Sequence, residues 1–234
     1  MPASSPRAIL TPMINFNSIR IRYWHRAALN NLVTQKYAKA EEYFHKIQAV
    51  EPNRFGLGHN LALVYMAQEK FEEAEKYLLA EIERYGDTFV RYKSLGDMYY
   101  VWGRREKCGE YYALALPLCE HKGDKIQLEH RIAQCKSDEA FAMAMKSFDC
   151  LKQGNKKMEE KDFVEAEELL KKAVEFDRCN FQAWNNLGAL EMNIKNNIAE
   201  AVKYFEKAVQ YTSLVGIYGN LRKARDSLAK ESKK

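Results

Sequence analysis

Along Phe181–Tyr211, FQAWNNLGALEMNIKNNIAEAVKYFEKAVQY, large and small apolar residues fall where two antiparallel helices must touch. Trp184, Leu187 and Gly188, then Ala201, Phe205 and Ala208, put bulk on one helical face and small residues where the axes approach. One such hairpin cannot bury its own apolar surface and needs a copy of itself on each side. The chain supplies copies. Ala40, Ala74 and Cys108 are thirty-four residues apart, as are Ala27, Leu61 and Leu95, and Gly154 and Gly188. Ala166 to Ala201 and Ala173 to Ala208 are one residue longer, which places a single insertion in the turn around Lys195 to Ile198.

With this period, and with Trp184, Leu187, Gly188, Ala201 and Phe205 at their spacing, the chain resembles the tetratricopeptide repeat family, whose unit reads W-x2-L-G-x2-Y, then A-x3-F, then P. The match is partial in each copy: Cys108 replaces an alanine, Gly86 stands where proline is usual, and Glu191 takes the place of a tyrosine. The resemblance implies an all-α fold, an α-solenoid of antiparallel helix pairs with about five repeats, an extra helix and a C-terminal capping helix.

The expected organisation is a flexible lead over 1–19, three repeats over 20–122, an irregular helical junction over 123–146, two repeats over 147–214, and a capping helix with a polar tail over 215–234. Pro2, Pro6 and Pro12 oppose helix in the lead, although Ile9, Leu10, Met13, Ile14 and Phe16 could pack against the repeats. The junction follows from Gly96 and Gly154, fifty-eight residues apart: one repeat plus twenty-four residues, enough for one helix and a turn. A long helix is then expected from about Asp138 to Glu160, with Ser137 and Asp138 offering an N-cap.

Composition bounds the function. With 47% hydrophobic and 29% charged residues, the chain can bury a core. Its net charge of +5 is mild and its basic residues lie among comparable numbers of acids, which argues against nucleic acid as the main partner. Five cysteines without a C-x-x-C pair oppose a disulfide framework or a structural zinc site. No apolar run approaches a membrane span, and a cytoplasmic location is the default expectation. An exported chain whose signal had been removed would read the same.

Chemistry-bearing motifs are absent: the five histidines are scattered, and H-E-x-x-H, G-x-S-x-G and phosphate-binding glycine loops do not occur. Neither Cys119 with His121 nor His130 with Cys135 has zinc-site spacing. Adjacent acids such as Glu167 and Glu168 diverge by about 100° on a helix and do not form a catalytic dyad. No catalytic residue, cofactor or metal is therefore expected.

What remains is surface. In the resembled family the first helix of each pair lines a groove that holds an extended or helical peptide. Carried over, the partner-facing positions are Arg22, His25 and Arg26, then His59 and Asn60, then Lys93 and Asp97, then Lys152 and Asn155, and last Gln182, Asn185 and Asn186. Asn155, Asn185 and Asn186, with Asn193, form a run of amides able to donate to and accept from a peptide backbone. Chaperone-binding members carry a carboxylate clamp of lysines, asparagines and an arginine. At the corresponding positions this chain has His25, Leu29, Asn60, Val90 and Ser94 from the first repeat, or Leu151, Asn155, Asn186, Ile217 and Leu221 from the fourth, so the clamp is mostly missing. The expected function is a non-enzymatic scaffold or adaptor that binds a partner protein's segment. A chaperone-like factor for a secreted or assembling client is the alternative. RNA binding by helical repeats, supported by Arg20, Arg22 and Arg26, by Arg104, Arg105 and Lys107, and by Lys152, Lys156, Lys157 and Lys161, is a weaker third and would show a steep salt dependence.

Overall fold

The computed structural model describes residues 16–231, and among these it contains twelve α-helices and no strand. The chain divides into two compact units, Met1–Glu81 and Ile82–Lys234. Most of the expected lead and the last residues of the tail lie outside the described residues, but Phe16 to Ile19 form the first turn of a helix.

The first unit contains α1 (Phe16–Val33), α2 (Tyr37–Val50), α3 (Leu57–Ala67) and most of α4 (Phe71–Tyr85). The second begins with the end of α4 and holds α5 (Phe89–Val101), α6 (Arg105–Ala115), α7 (Lys122–Gln134), α8 (Asp138–Glu159), α9 (Phe163–Phe176), α10 (Phe181–Asn193), α11 (Ile198–Ala208) and α12 (Val215–Glu231). Short 3₁₀ turns at Leu116–Leu118 and Val209–Tyr211 extend α6 and α11.

The repeat is written most sharply in the turns. Gln35, Glu69, Gly103, Lys161 and Asn196, each in the turn within a helix pair, all have left-handed backbones, with φ of 57°, 60°, 75°, 64° and 54°. Their spacing is thirty-four, thirty-four, fifty-eight and thirty-five residues, the same sequence of intervals as the packing residues, with both the long step and the one-residue insertion reproduced. Helix starts are capped locally: Asp162, Asn180 and Asn197 accept the backbone N–H three residues on. Gly86, at φ 77°, ends α4, and its N–H donates to the Ile82 carbonyl at 2.8 Å, so a left-handed glycine does what proline does in the resembled unit.

Within pairs, small residues receive large ones. A Cβ on Gly96 would meet the Tyr112 ring at 2.5 Å, and one on Gly188 would meet the Phe205 ring at 2.7 Å. Cys108, Ala74, Ala166 and Ala201 are fully buried. Glu191, at the position of the family's tyrosine, is also buried. It pairs with Lys195 at 2.9 Å, and Lys195 reaches on to Glu167 at 2.7 Å, so an ion-pair bridge between α9 and α10 occupies the space of a ring.

The helix that breaks the period is α7. Its first turn is fixed by Asp124, which accepts the Ser213 N–H at 3.1 Å. Tyr100 on α5 donates to the Ala144 carbonyl of α8 at 2.7 Å, and Ser147 on α8 donates to the Ala173 carbonyl of α9 at 2.7 Å. Asn180 in turn donates to the Ser147 hydroxyl at 2.9 Å, which joins the start of α10 to the middle of α8.

Candidate functional site

Among the described residues of the second unit, four asparagine side chains are joined in one directed chain. Asn220 Nδ2 donates to Asn185 Oδ1 at 2.9 Å, Asn185 Nδ2 to Asn186 Oδ1 at 3.2 Å, and Asn186 Nδ2 to Asn155 Oδ1 at 2.7 Å. The chain crosses α12, α10 and α8, the first helices of successive pairs and the final helix. Asn155 is exposed and the other three are half-buried. An amide offers two donor hydrogens and an acceptor oxygen with two lone pairs, so each member keeps capacity beyond the bonds within the chain. Cooperative polarisation along aligned amides strengthens the unused ends, the Asn155 N–H groups and the Asn220 oxygen.

Asn155, Asn185 and Asn186 are thus brought together as their spacing implies, Gln182 is exposed at the start of α10, and Lys152 is exposed one turn before Asn155. Asn193, at the last turn of α10, takes no part in the chain. Asn220 was not among the candidates, because α12 reads as a cap with a polar outer face. Its signal is the thirty-five-residue interval from Asn185, the interval that also separates Ala166 from Ala201. Leu151 is 5% exposed and packs with Ala166 and Leu170, so it is core and not partner-facing. Ile217 and Leu221 are also buried, which leaves the fourth-repeat clamp positions filled mainly by apolar core.

Lys93 and Asp97 lie on α5 and pair with each other at 2.6 Å; Asp97 also accepts the Tyr112 hydroxyl at 2.7 Å. In the first unit the His25 ring faces Asn60 Nδ2 at 3.5 Å and packs edge-on to Phe44. His59 is half-buried, while Arg22 and Arg26 are exposed on α1.

A second polar cluster was not expected. Asp177, in the turn between α9 and α10, is 1% exposed; it faces His130 Nε2 at 2.9 Å and Arg131 Nη1 at 2.8 Å, and it accepts the Cys179 N–H at 2.9 Å. Arg131 also lies 4.0 Å above the Tyr100 ring and donates to Gln134 at 2.9 Å. Hydrogen bonds of the His130 ring to Asp177 and Cys179 push His130 up to about 9. Burial raises the Asp177 carboxyl, but the His130 bond and the Arg131 charge outweigh it and hold it at about 2. His130, Asp177 and Cys179 have ligand atoms within 4.8 Å of one another, the spacing a metal ion needs. The buried Arg131 guanidinium already occupies the carboxylate and repels a second cation, so the geometry fits an ion-pair network better than a metal centre. Periodicity could not reveal this cluster because α7 stands outside the repeat.

No helix among the described residues is long and apolar enough to cross a membrane. A family profile described as tetratricopeptide repeat matches residues 59–85 and 181–213. No curated protein matches the sequence. Among solved structures, the chain is similar to the TPR2AB domain of yeast Sti1 in its pHSP90 complex, at 17% identity over 92% of this chain and 87% of that one, with a TM-score of 0.46. It is also similar to YrrB, described as a TPR protein with an unusual peptide-binding site, at 14% identity over 89% and 98% with a TM-score of 0.43. A third similarity is to the APC/C hetero-tetramer Cut9-Hcn1, at 14% identity over 87% of this chain and 42% of that one, with a TM-score of 0.48. The family profile thus matches two of the helix pairs, those of α3 with α4 and of α10 with α11, as tetratricopeptide repeats.

Proposed function

We propose that this chain is a non-enzymatic scaffold that holds an extended segment of a partner protein against the α8, α10 and α12 face. The observation that carries this reading is the amide chain Asn155, Asn186, Asn185 and Asn220. A peptide backbone presents N–H and C=O groups in alternation, and a row of side-chain amides matches both without demanding a particular sequence. Asparagine costs helix propensity, and here the cost falls on three helices at one continuous strip. Leu151, Ile217 and Leu221 of the fourth-repeat clamp positions being apolar and buried, the reading puts the grip on backbone amides and not on a terminal carboxylate.

The test is affinity capture from the native source with wild type and with Asn155→Ala/Asn185→Ala/Asn186→Ala, followed by crosslinking from Gln182. A partner that crosslinks at Gln182 and is lost in the triple variant, with helical content unchanged, supports the reading. Equal retention by both proteins overturns it. A partner lost instead in His25→Ala/Asn60→Ala moves the grip to the first unit.

A further inference from the structure

A cavity of about 800 Å³ opens in the second unit beside the start of α7, within the size range of small-ligand sites. Lys122, His130 and Arg178 line it, and no carboxylate is among its lining residues. Lys122 and Arg178 are exposed, and neither has a carboxylate within ion-pairing distance among the described residues. His130 adds to this charge. It and Arg131 share the carboxylate of Asp177, so the network that His130 joins to the cavity holds two cations for one anion. Ile126, on the same face of α7 as Lys122 and His130, and Val209 and Tyr211 add apolar surface to the lining. The lining thus combines two exposed cations and His130 with apolar side chains able to cover a hydrocarbon group.

We infer that this cavity binds an organic oxyanion, a carboxylate or phosphate carried on an apolar body, with Arg178 and Lys122 on the anion and Ile126, Val209 and Tyr211 against the body. Arg178 supplies the planar fork suited to an oxyanion, and Lys122 a mobile point charge. Asp177 holds His130 in place at 2.9 Å. The cavity is separate from the amide chain and does not depend on it.

Isothermal titration of the full chain with N-acetylphenylalanine, N-acetylphenylalanine amide and phenyl phosphate tests this. The free acid stands for a peptide terminus and phenyl phosphate for a phosphate monoester. At least one anion is expected to bind in 1:1 ratio, about tenfold or more tighter than the neutral amide. The tighter of the two anions identifies the natural headgroup. Lys122→Ala/Arg178→Ala, two exposed changes that leave the core intact, is expected to weaken the anion about tenfold or more and to leave the amide unchanged. Binding of the amide as tightly as the acids, undiminished binding by the double variant, or no saturation by either anion below about 10 mM overturns the assignment.

Discussion

Gly188 lies directly beneath the ring of Phe205: a Cβ at that position would sit 2.7 Å from the ring, closer than any real contact. The α10–α11 pair therefore closes to a distance only glycine permits, and Phe205 is 1% exposed because of it. Gly188→Ala forces the ring or the helix aside, with an expected loss of about 1–3 kcal/mol in urea unfolding. Gly96→Ala should cost a similar amount and also displace Tyr112 from Asp97, since the ring whose hydroxyl reaches Asp97 is the one the new methyl would strike. Unfolding midpoints equal to wild type in both variants would show that the pairs are not packed this closely.

The left-handed turn residues carry opposite expectations according to type. Gly103 has φ 75° and open space around its missing Cβ, so Gly103→Ala meets no clash and is penalised by the backbone alone, by about 1 kcal/mol. Glu69 and Lys161 sit in the same conformation with a side chain. Replacing either by glycine removes that strain but adds freedom to the unfolded chain, so the net change should lie between zero and about 1 kcal/mol of stabilisation. Thermal melts of the three variants decide it, and a loss on Lys161→Gly as large as that on Gly103→Ala would contradict the shared turn geometry.

The cluster of His130, Arg131 and Asp177 gives stability a defined pH dependence. His130 is raised to about 9, so its contribution is fully present below its unfolded value near 6.5 and is lost as pH rises through about 9. Asp177 is held down at about 2, so its contribution is present above the unfolded value of 3.8 and is lost as pH falls through about 2. The groups facing His130 are Asp177, Cys179 and Gln134, with Arg131 across the carboxylate. Urea midpoints measured from pH 6 to about 10 should fall across the upper part of that range in wild type, and His130→Gln should flatten the decline. Asp177→Asn leaves buried Arg131 without its partner and should cost about 3–5 kcal/mol.

How much of this was legible in the sequence depends on which force left a period. Helix pairing did, because Gly96, Gly188, Cys108 and Ala201 must recur wherever axes touch. The insertion near Lys195 was legible too, and it appears as the left-handed Asn196 one residue beyond the regular interval. Glu191 read as a missing contact, yet a buried ion pair with Lys195 fills the place; a ring and a salt bridge of similar size cannot be told apart from one position. The amide strip was three-quarters visible, and Asn220 was overlooked because a terminal helix is polar on its outer face for solubility alone. The Asp177 network was invisible, since it joins residues nearly fifty positions apart through the one helix that keeps no register.

The amide strip also predicts selectivity. A ligand that binds through backbone groups tolerates side-chain changes, whereas methylating the backbone nitrogens of the bound segment removes donors and blocks approach. Alanine scanning of the captured segment should therefore change affinity little at most positions, while N-methylation at alternate residues should weaken it about tenfold or more. Sensitivity concentrated in one side chain, with N-methylation tolerated, would place recognition elsewhere.

The most direct measurement is the dissociation constant of the captured partner segment for wild type and for Asn155→Ala/Asn185→Ala/Asn186→Ala, taken by isothermal titration at matched salt. Weakening of about tenfold or more, with an unchanged melting temperature, is the result expected if the amides grip the partner. The same constant for both proteins would show that the strip is surface and nothing more.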